Sequence, residues 1–395
     1  MDSACRKKGL QVICRESGAS ENAMITRVYV DNYKCMVNFE HSPASLQLVF
    51  GENGSGKSTV FEILGHLRDL VVRGAPVEQV LPRNTLTAWQ SRREQAFELD
   101  IKGNGGGYTY SLRVEHHEWQ GKNRIVREEL RFDGMPLYRF DGQDAHLYRD
   151  DASAGPVFPQ DWSRSGVALV PERHDNQRLC WFRQRMAAIY VLAIDPLRMD
   201  DATSAEQQTP DAGVRNFASW YRHLTQDSPE RMGSLFESLR EVIDGFTWVK
   251  LTQEGEAGRV LRVGFECSDV GQGEEGEYDL KLSQLSDGHR SLIALFTILH
   301  CAVRPDVTIC IDEPDNFVAL RELQPWVTEL SDRVEEERAQ CLLISHHPEL
   351  IDLLAVRHGA RFVRSAGGPV RIKPVEWSQG DGLRLSEIVA RGWEE

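Results

Sequence analysis

The chain has 395 residues, 46 of them Lys or Arg and 60 Asp or Glu, which gives a net charge of −14 at pH 7. A composition of 41% hydrophobic and 27% charged residues excludes a disordered or fibrous chain and gives room for one large core or two. No apolar run reaches the roughly 18 to 20 residues of a membrane span, and the acidic balance disfavours a protein that coats nucleic acid by bulk attraction, though not a local basic groove.

Residues 1–23 carry Arg6, Lys7 and Lys8 but lack the apolar core of a secretory signal, so they read as a disordered leader with a second start at Met24. Apolar and polar residues then alternate from Ile25 to about Glu40. A short apolar strand, Leu46 to Phe50, runs directly into Gly51, and a helix is predicted from Phe61 to Val72. Five strand-like runs follow: Ala96 to Ile101, Tyr108 to Glu115, Ile125 to Phe132, Leu137 to Phe140 and Ala145 to Tyr148. Asp133-Gly134 and Asp141-Gly142 separate the later ones, which predicts an antiparallel meander.

Pro156 and Pro159 mark a loop through residues 150–170. Beyond it the pattern predicts a helix from Gln177 to Ile189, a strand from Tyr190 to Ile194, and helices near Gly213 to Leu224 and Pro229 to Ile243. None keeps the apolar heptad of a coiled coil. The acidic run Gly273 to Glu277 reads as a mobile loop.

In the last third strands and helices alternate: Leu261 to Cys267, a helix from His289 to Val303, Val307 to Ile311, a helix from Leu320 to Glu337, Cys341 to Ile344, and a helix after Pro348. Apolar strands flanked by helices predict a buried, largely parallel sheet, and the strand before Gly51 must join it. The expected fold is therefore α/β, one domain with mixed and parallel sheet. Residues 24–95 and 246–395 form its two parts, and residues 96–245 form an inserted β-meander and helical lobe. The eight cysteines include no C-x-x-C pair, and Cys310 and Cys341 fall inside apolar runs, which points to small core residues in a reducing cytoplasm.

Gly51-Glu52-Asn53-Gly54-Ser55-Gly56-Lys57-Ser58-Thr59 fits G-x-x-x-x-G-K-[ST], with a strand before it and an amphipathic helix after. The glycines let successive backbone N–H groups converge on phosphate oxygens at a helix N-terminus. In this reading ATP is the ligand, Lys57 reaches the β and γ phosphates, and the Ser58 hydroxyl binds Mg²⁺. A second acidic site stands at the end of the strand Val307 to Ile311, in Asp312-Glu313-Pro314. Asp312 is placed to hold Mg²⁺ through water, and Glu313 to orient or deprotonate the attacking water. Near Arg173, Arg178, Arg183 and Arg185, with Trp181 and Phe182 interleaved, a nucleic-acid or partner patch competes with a solvated helix face.

Two more elements complete an ordered set. Leu285-Ser286-Asp287-Gly288-His289 precedes a helix, and Ser345-His346-His347 follows a strand. Taken alone, Ser286 reads as an ordinary helix N-cap. The order P-loop, Leu-Ser-x-Gly, Asp-Glu-Pro, strand-end His resembles ABC-type ATPases of the SMC and RecF-like branch. More narrowly it resembles the stand-alone AAA_21 group related to the overcoming-lysogenization-defect ATPases, here without a Toprim nuclease domain. The resemblance spans Met24 to about Val363, with the middle segment matched least well.

That resemblance implies that Ser286, Asp287 and Gly288 of one protomer face the γ-phosphate held by another, although Asp287 stands where the family has Gly and His289 where it has Gln. It implies that His346 contacts the γ-phosphate and that Asp315 and Asn316 couple the two sites. It further implies a homodimer or higher homo-oligomer and ATP hydrolysis. The expected role is a cytoplasmic switch subunit of a bacterial anti-phage system, with a separate effector protein as partner. DNA is a second candidate partner, through the inserted lobe. Competing roles are a RecF-like clamp that binds DNA directly and a scaffold that holds ATP with little turnover.

Overall fold

The computed structural model describes residues 23–117, 123–255, 258–270, 274–375 and 384–391. Of the leader expected over residues 1–23 only Ala23 is among them, buried and with its N–H donating to Asp306 Oδ1 at 2.7 Å, which departs from the expected disorder; residues 1–22 lie outside the described residues. At the centre is a six-stranded sheet in the order Ile189–Leu192, Thr308–Asp312, Gln340–Ile344, Leu46–Phe50, Gly359–Val363, Arg371–Lys373. The first five strands run parallel and the last is antiparallel. Both faces of the three central strands, Thr308–Asp312, Gln340–Ile344 and Leu46–Phe50, are covered, so these show continuous buried runs in place of alternation. Successive residues nevertheless part company. Leu48, Phe50, Ile309, Ile311 and Leu343 enter one core, while Val49, Cys310, Leu342 and Ile344 enter the core shared with the helix Lys57–Arg73.

The second sheet is the predicted antiparallel meander, extended to eight strands by Met24–Asp31 and Phe39–His41 at one end and Ala154–Pro159 at the other. Met24–Asp31 pairs with Glu94–Gly103, and Phe97, Tyr108, Tyr110 and Tyr138 fill the buried face. Asp133 and Gly134 both take positive φ, 47° and 79°, as the Asp-Gly turn requires. The loop expected over residues 150–170 is in part this edge strand, whose Pro156 and Pro159 suit a position where backbone donors go unused. Segments on either side of residue 95 thus supply both large sheets.

A third sheet centres on Gly258–Val270, flanked on one side by Phe246–Glu254 and on the other by Ala202–Thr203 and Glu274–Lys281. Glu277 pairs with Glu266 there, so most of the acidic run expected as a mobile loop is strand. Beneath this sheet the helix Asp287–Thr297 continues into a π-helical turn, Ile298–Ala302, and Trp326 from the helix Leu320–Glu336 donates its Nε1–H to Leu295 O at 3.1 Å. Among the described residues no helix is long and apolar enough to cross a membrane.

Candidate nucleotide site

The fully buried strand Leu46–Phe50 delivers the chain into Gly51 at a fixed height, and three glycines then bend the backbone into a cradle. Gly51, Gly54 and Gly56 have φ of 144°, 79° and 90°. A Cβ on Gly51 would lie 2.2 Å from Phe362 O, and one on Gly56 would meet Val370 and Cys35 at 2.8 and 2.9 Å. Only glycine fits these two positions. Lys57 opens the helix that follows, its Nζ folded back to donate to Gly51 O at 2.8 Å and Glu52 O at 3.0 Å. Burial pulls the Lys57 pKa below its ordinary value, against the charges of Asp312 and Glu313.

The strand Thr308–Asp312 ends beside this loop. Burial raises the Asp312 pKa, opposed by a hydrogen bond from the Ser58 hydroxyl and reinforced by the neighbouring charge of Glu313. Glu313 sits in the left-handed region, φ 52°, a conformation that costs a non-glycine residue about 1 kcal/mol or more. It is held there by its N–H donating to Ile344 O at 2.8 Å and by Asn316 Nδ2 donating to its Oε2 at 2.7 Å. Its Oε1 lies 3.2 Å from His346 Nδ1.

The two adjacent histidines divide their tasks. His346 faces Glu313, whereas His347 Nδ1 accepts the Glu349 N–H at 3.3 Å and caps the short helix Pro348–Leu350. Asn316 touches the Glu313 carboxylate directly, which the sequence pattern does not reveal.

A cleft of about 470 Å³ opens on the P-loop, lined by Asn53, Gly54, Gly56, Lys57, Ser58, Thr59 and Glu313, whereas Asp312 and His346 stand outside its lining. Lys34, Cys35, Trp89 and Arg364 also belong to its wall. No local sequence signal marks these four, because they reach the cleft from three separate loops. Ser286, Asp287 and Gly288 are not among the lining residues. They form the start of the helix Asp287–Thr297, where Ser286 Oγ accepts the His289 N–H at 3.2 Å, the plain capping role. Asp287 pairs with Arg290 at 3.1 Å, and Arg290 Nη1 also donates to Pro196 O at 2.6 Å. A Cβ on Gly288 would lie 2.8 Å from Phe317 O, so the loop after Glu313 lies against the tip of this helix.

The residues present fit a nucleotide with its cation. The Ser55 hydroxyl is 2% exposed and has no partner among the described residues. The Ser58 hydroxyl and Asp312 carboxylate form a hard oxygen donor pair at the cradle's inner end. Three of the four arginines considered as a surface patch are tied into the fold: Arg178 donates to Asp150 O at 2.7 Å, Arg183 donates to Val170 O at 2.7 Å, and Arg185 is 3% exposed. Arg173 is exposed and pairs with Asp175 at 3.1 Å on the surface.

The comparisons with known proteins agree with this geometry. The chain resembles an SMC head bound to the C-terminal winged-helix domain of ScpA, at a TM-score of 0.53 and 10% identity over 89% of this chain and 98% of that one. It also resembles the SMC head domain from Thermotoga maritima, at a TM-score of 0.46 and 14% identity over 89% and 99% of the two chains. No curated protein sequence matches it. The model of the AAA_21 family, described as "AAA domain, putative AbiEii toxin, Type IV TA system", matches residues 48–352, which include the P-loop, Asp312-Glu313 and His346. The chain is therefore a member of the AAA_21 family of P-loop ATPases, built on the fold of an SMC head.

Proposed function

We propose that this protein binds ATP with Mg²⁺ in the cleft, hydrolyses it to ADP and phosphate, and closes on a second copy of itself around the bound nucleotide. The observation that carries the reading is that Lys57, Ser58 and Glu313 line one cleft at the glycine cradle, with Asp312 hydrogen-bonded to the Ser58 hydroxyl and His346 3.2 Å from Glu313. Magnesium bound with ATP supplies charge neutralisation at the β and γ phosphates. Lys57 exchanges its loop carbonyls for phosphate oxygens, and Ser58 and Asp312 hold the cation. Glu313 orients water and takes its proton, kept in place by Asn316 and His346. Charge placement and orientation provide the acceleration, with no covalent intermediate on the protein.

The helix tip Ser286–Gly288 is not part of the lining of its own cleft, and in this reading it meets the γ-phosphate held by a second copy. The family description, which names a type IV toxin–antitoxin system, supports work beside a separate protein, and an anti-phage switch with a separate effector is the role that suits an ATP-gated dimer. The engagement of Arg178, Arg183 and Arg185 within the fold lends no support to direct DNA binding through that segment. Phosphate release from ATP is the test. It should require Mg²⁺ and be lost in Lys57→Ala and Glu313→Gln, and an inactive wild-type protein in the presence of Mg²⁺ and ATP would refute the hydrolytic reading.

A further inference from the structure

The wall of the cleft facing the P-loop contains a group that the hydrolytic reading leaves unused. Trp89 stands in a turn closed by Gln90 N–H donating to Thr87 O at 3.1 Å, and 47% of the residue is exposed. Its indole lines the cleft instead of entering either core. Arg364 meets it, with Cζ 5.3 Å from the ring centroid. The guanidinium is fixed from behind by Gly368 O and Gly367 O, each at 2.7 Å, and its Nη1 lies 3.5 Å from Gly54 O. One side chain thereby ties the phosphate cradle to the indole and sets the distance between them. Leu86, from the same loop as Trp89, adds an apolar edge.

We propose that Trp89 is the platform on which the base of the bound nucleotide stacks, and that Arg364 is the positioning residue that holds the platform against the P-loop. The proposal rests on the cleft being a nucleoside triphosphate site. Stacking uses the π-face that every base possesses, so discrimination between ATP and GTP at this platform is weak.

Equilibrium binding of ATP and of inorganic tripolyphosphate, which has no base, tests it. Trp89→Ala should weaken ATP by about fivefold or more while tripolyphosphate binds as before, and Trp89→Phe should restore most of the ATP affinity. Unchanged tripolyphosphate affinity also reports an intact fold. Unaltered ATP affinity in Trp89→Ala, or equal loss of both ligands, would overturn the platform. Lys57→Ala should weaken both ligands. A wild-type protein that binds neither removes the nucleotide reading itself, whereas a base-independent affinity removes only the platform.

Discussion

His346 Nδ1 lies 3.2 Å from Glu313 Oε1, joining the ends of two neighbouring parallel strands. The Glu313 carboxylate thereby has partners on both oxygens, since Asn316 holds the other. Removing either partner frees a side chain whose backbone already occupies an unfavourable region. His346→Ala should lower kcat by roughly 10- to 100-fold with little change in ATP affinity, because it disturbs orientation rather than binding. Steady-state kinetics with an independent measurement of Kd checks this, and a loss confined to Kd would place His346 in binding alone.

Gly51→Ala addresses the cradle. The new methyl group would press on Phe362 O at 2.2 Å, so either the P-loop or the strand Gly359–Val363 must shift. ATP binding should be lost and the chain destabilised by about 2 kcal/mol. Isothermal titration and urea unfolding report the two effects separately.

Ser286→Arg should leave ATP binding by a single chain intact and abolish both ATP-driven association and turnover. Ser286 is an N-cap that does not line its own cleft, so in the paired reading a bulky charge there harms a neighbouring copy, at a cost to the helix of about 1 kcal/mol. Full hydrolytic activity in this variant would mean that the helix tip has no part in the reaction.

Two buried histidines set the acid limit of the fold. Burial depresses the pKa of His41 and of His116 from 6.5 to about 4 in each case. His116 Nε2–H donates to Gln95 Oε1 at 2.9 Å, and its Nδ1 is buried without a partner among the described residues. Both rings are neutral in the fold and take up protons in the unfolded chain below pH 6.5. Their contribution is thus present above pH 6.5 and declines as the pH falls toward 4. Urea unfolding should show stability dropping by several kcal/mol over that interval, and His116→Gln should flatten the dependence.

Glu128 is buried in the meander, where Tyr110 OH donates to Oε1 at 2.8 Å and Gly166 N–H donates to Oε2 at 2.8 Å, with Ser165 Oγ as a further donor. Burial raises its pKa, and these donors pull it back. Glu128→Ala leaves three buried donors without an acceptor, so it should cost about 3 kcal/mol or more in urea unfolding. ATP turnover at saturating substrate should be unaffected below the melting temperature.

Legibility in the sequence followed the physics of each element. Four of the five parallel strands were readable from their apolar runs, as in Leu46–Phe50, and the P-loop because three glycines and Lys57 stand at fixed spacing. Gly359–Val363 was not, since only Ala360 and Phe362 are buried in it. The strand Phe246–Glu254 was not, since only Phe246 and Val249 are buried in it and no period of two survives. Glu274–Lys281 was hidden by its acidic composition, which pairing with Gly258–Val270 overrides. Asp312, Glu313 and His346 could be placed from motif order. Lys34, Trp89 and Arg364 could not, because their approach to the cleft depends on loop paths that no local pattern encodes.

The mass of Glu313→Gln in solution with Mg²⁺ and ATP, measured by light scattering during size exclusion, addresses the ATP-driven pairing of two chains most directly. A shift from one chain to two on adding ATP, reversed when the nucleotide is removed, is the predicted result. A single-chain mass at micromolar protein and saturating ATP, in a sample shown to bind the nucleotide, would contradict it.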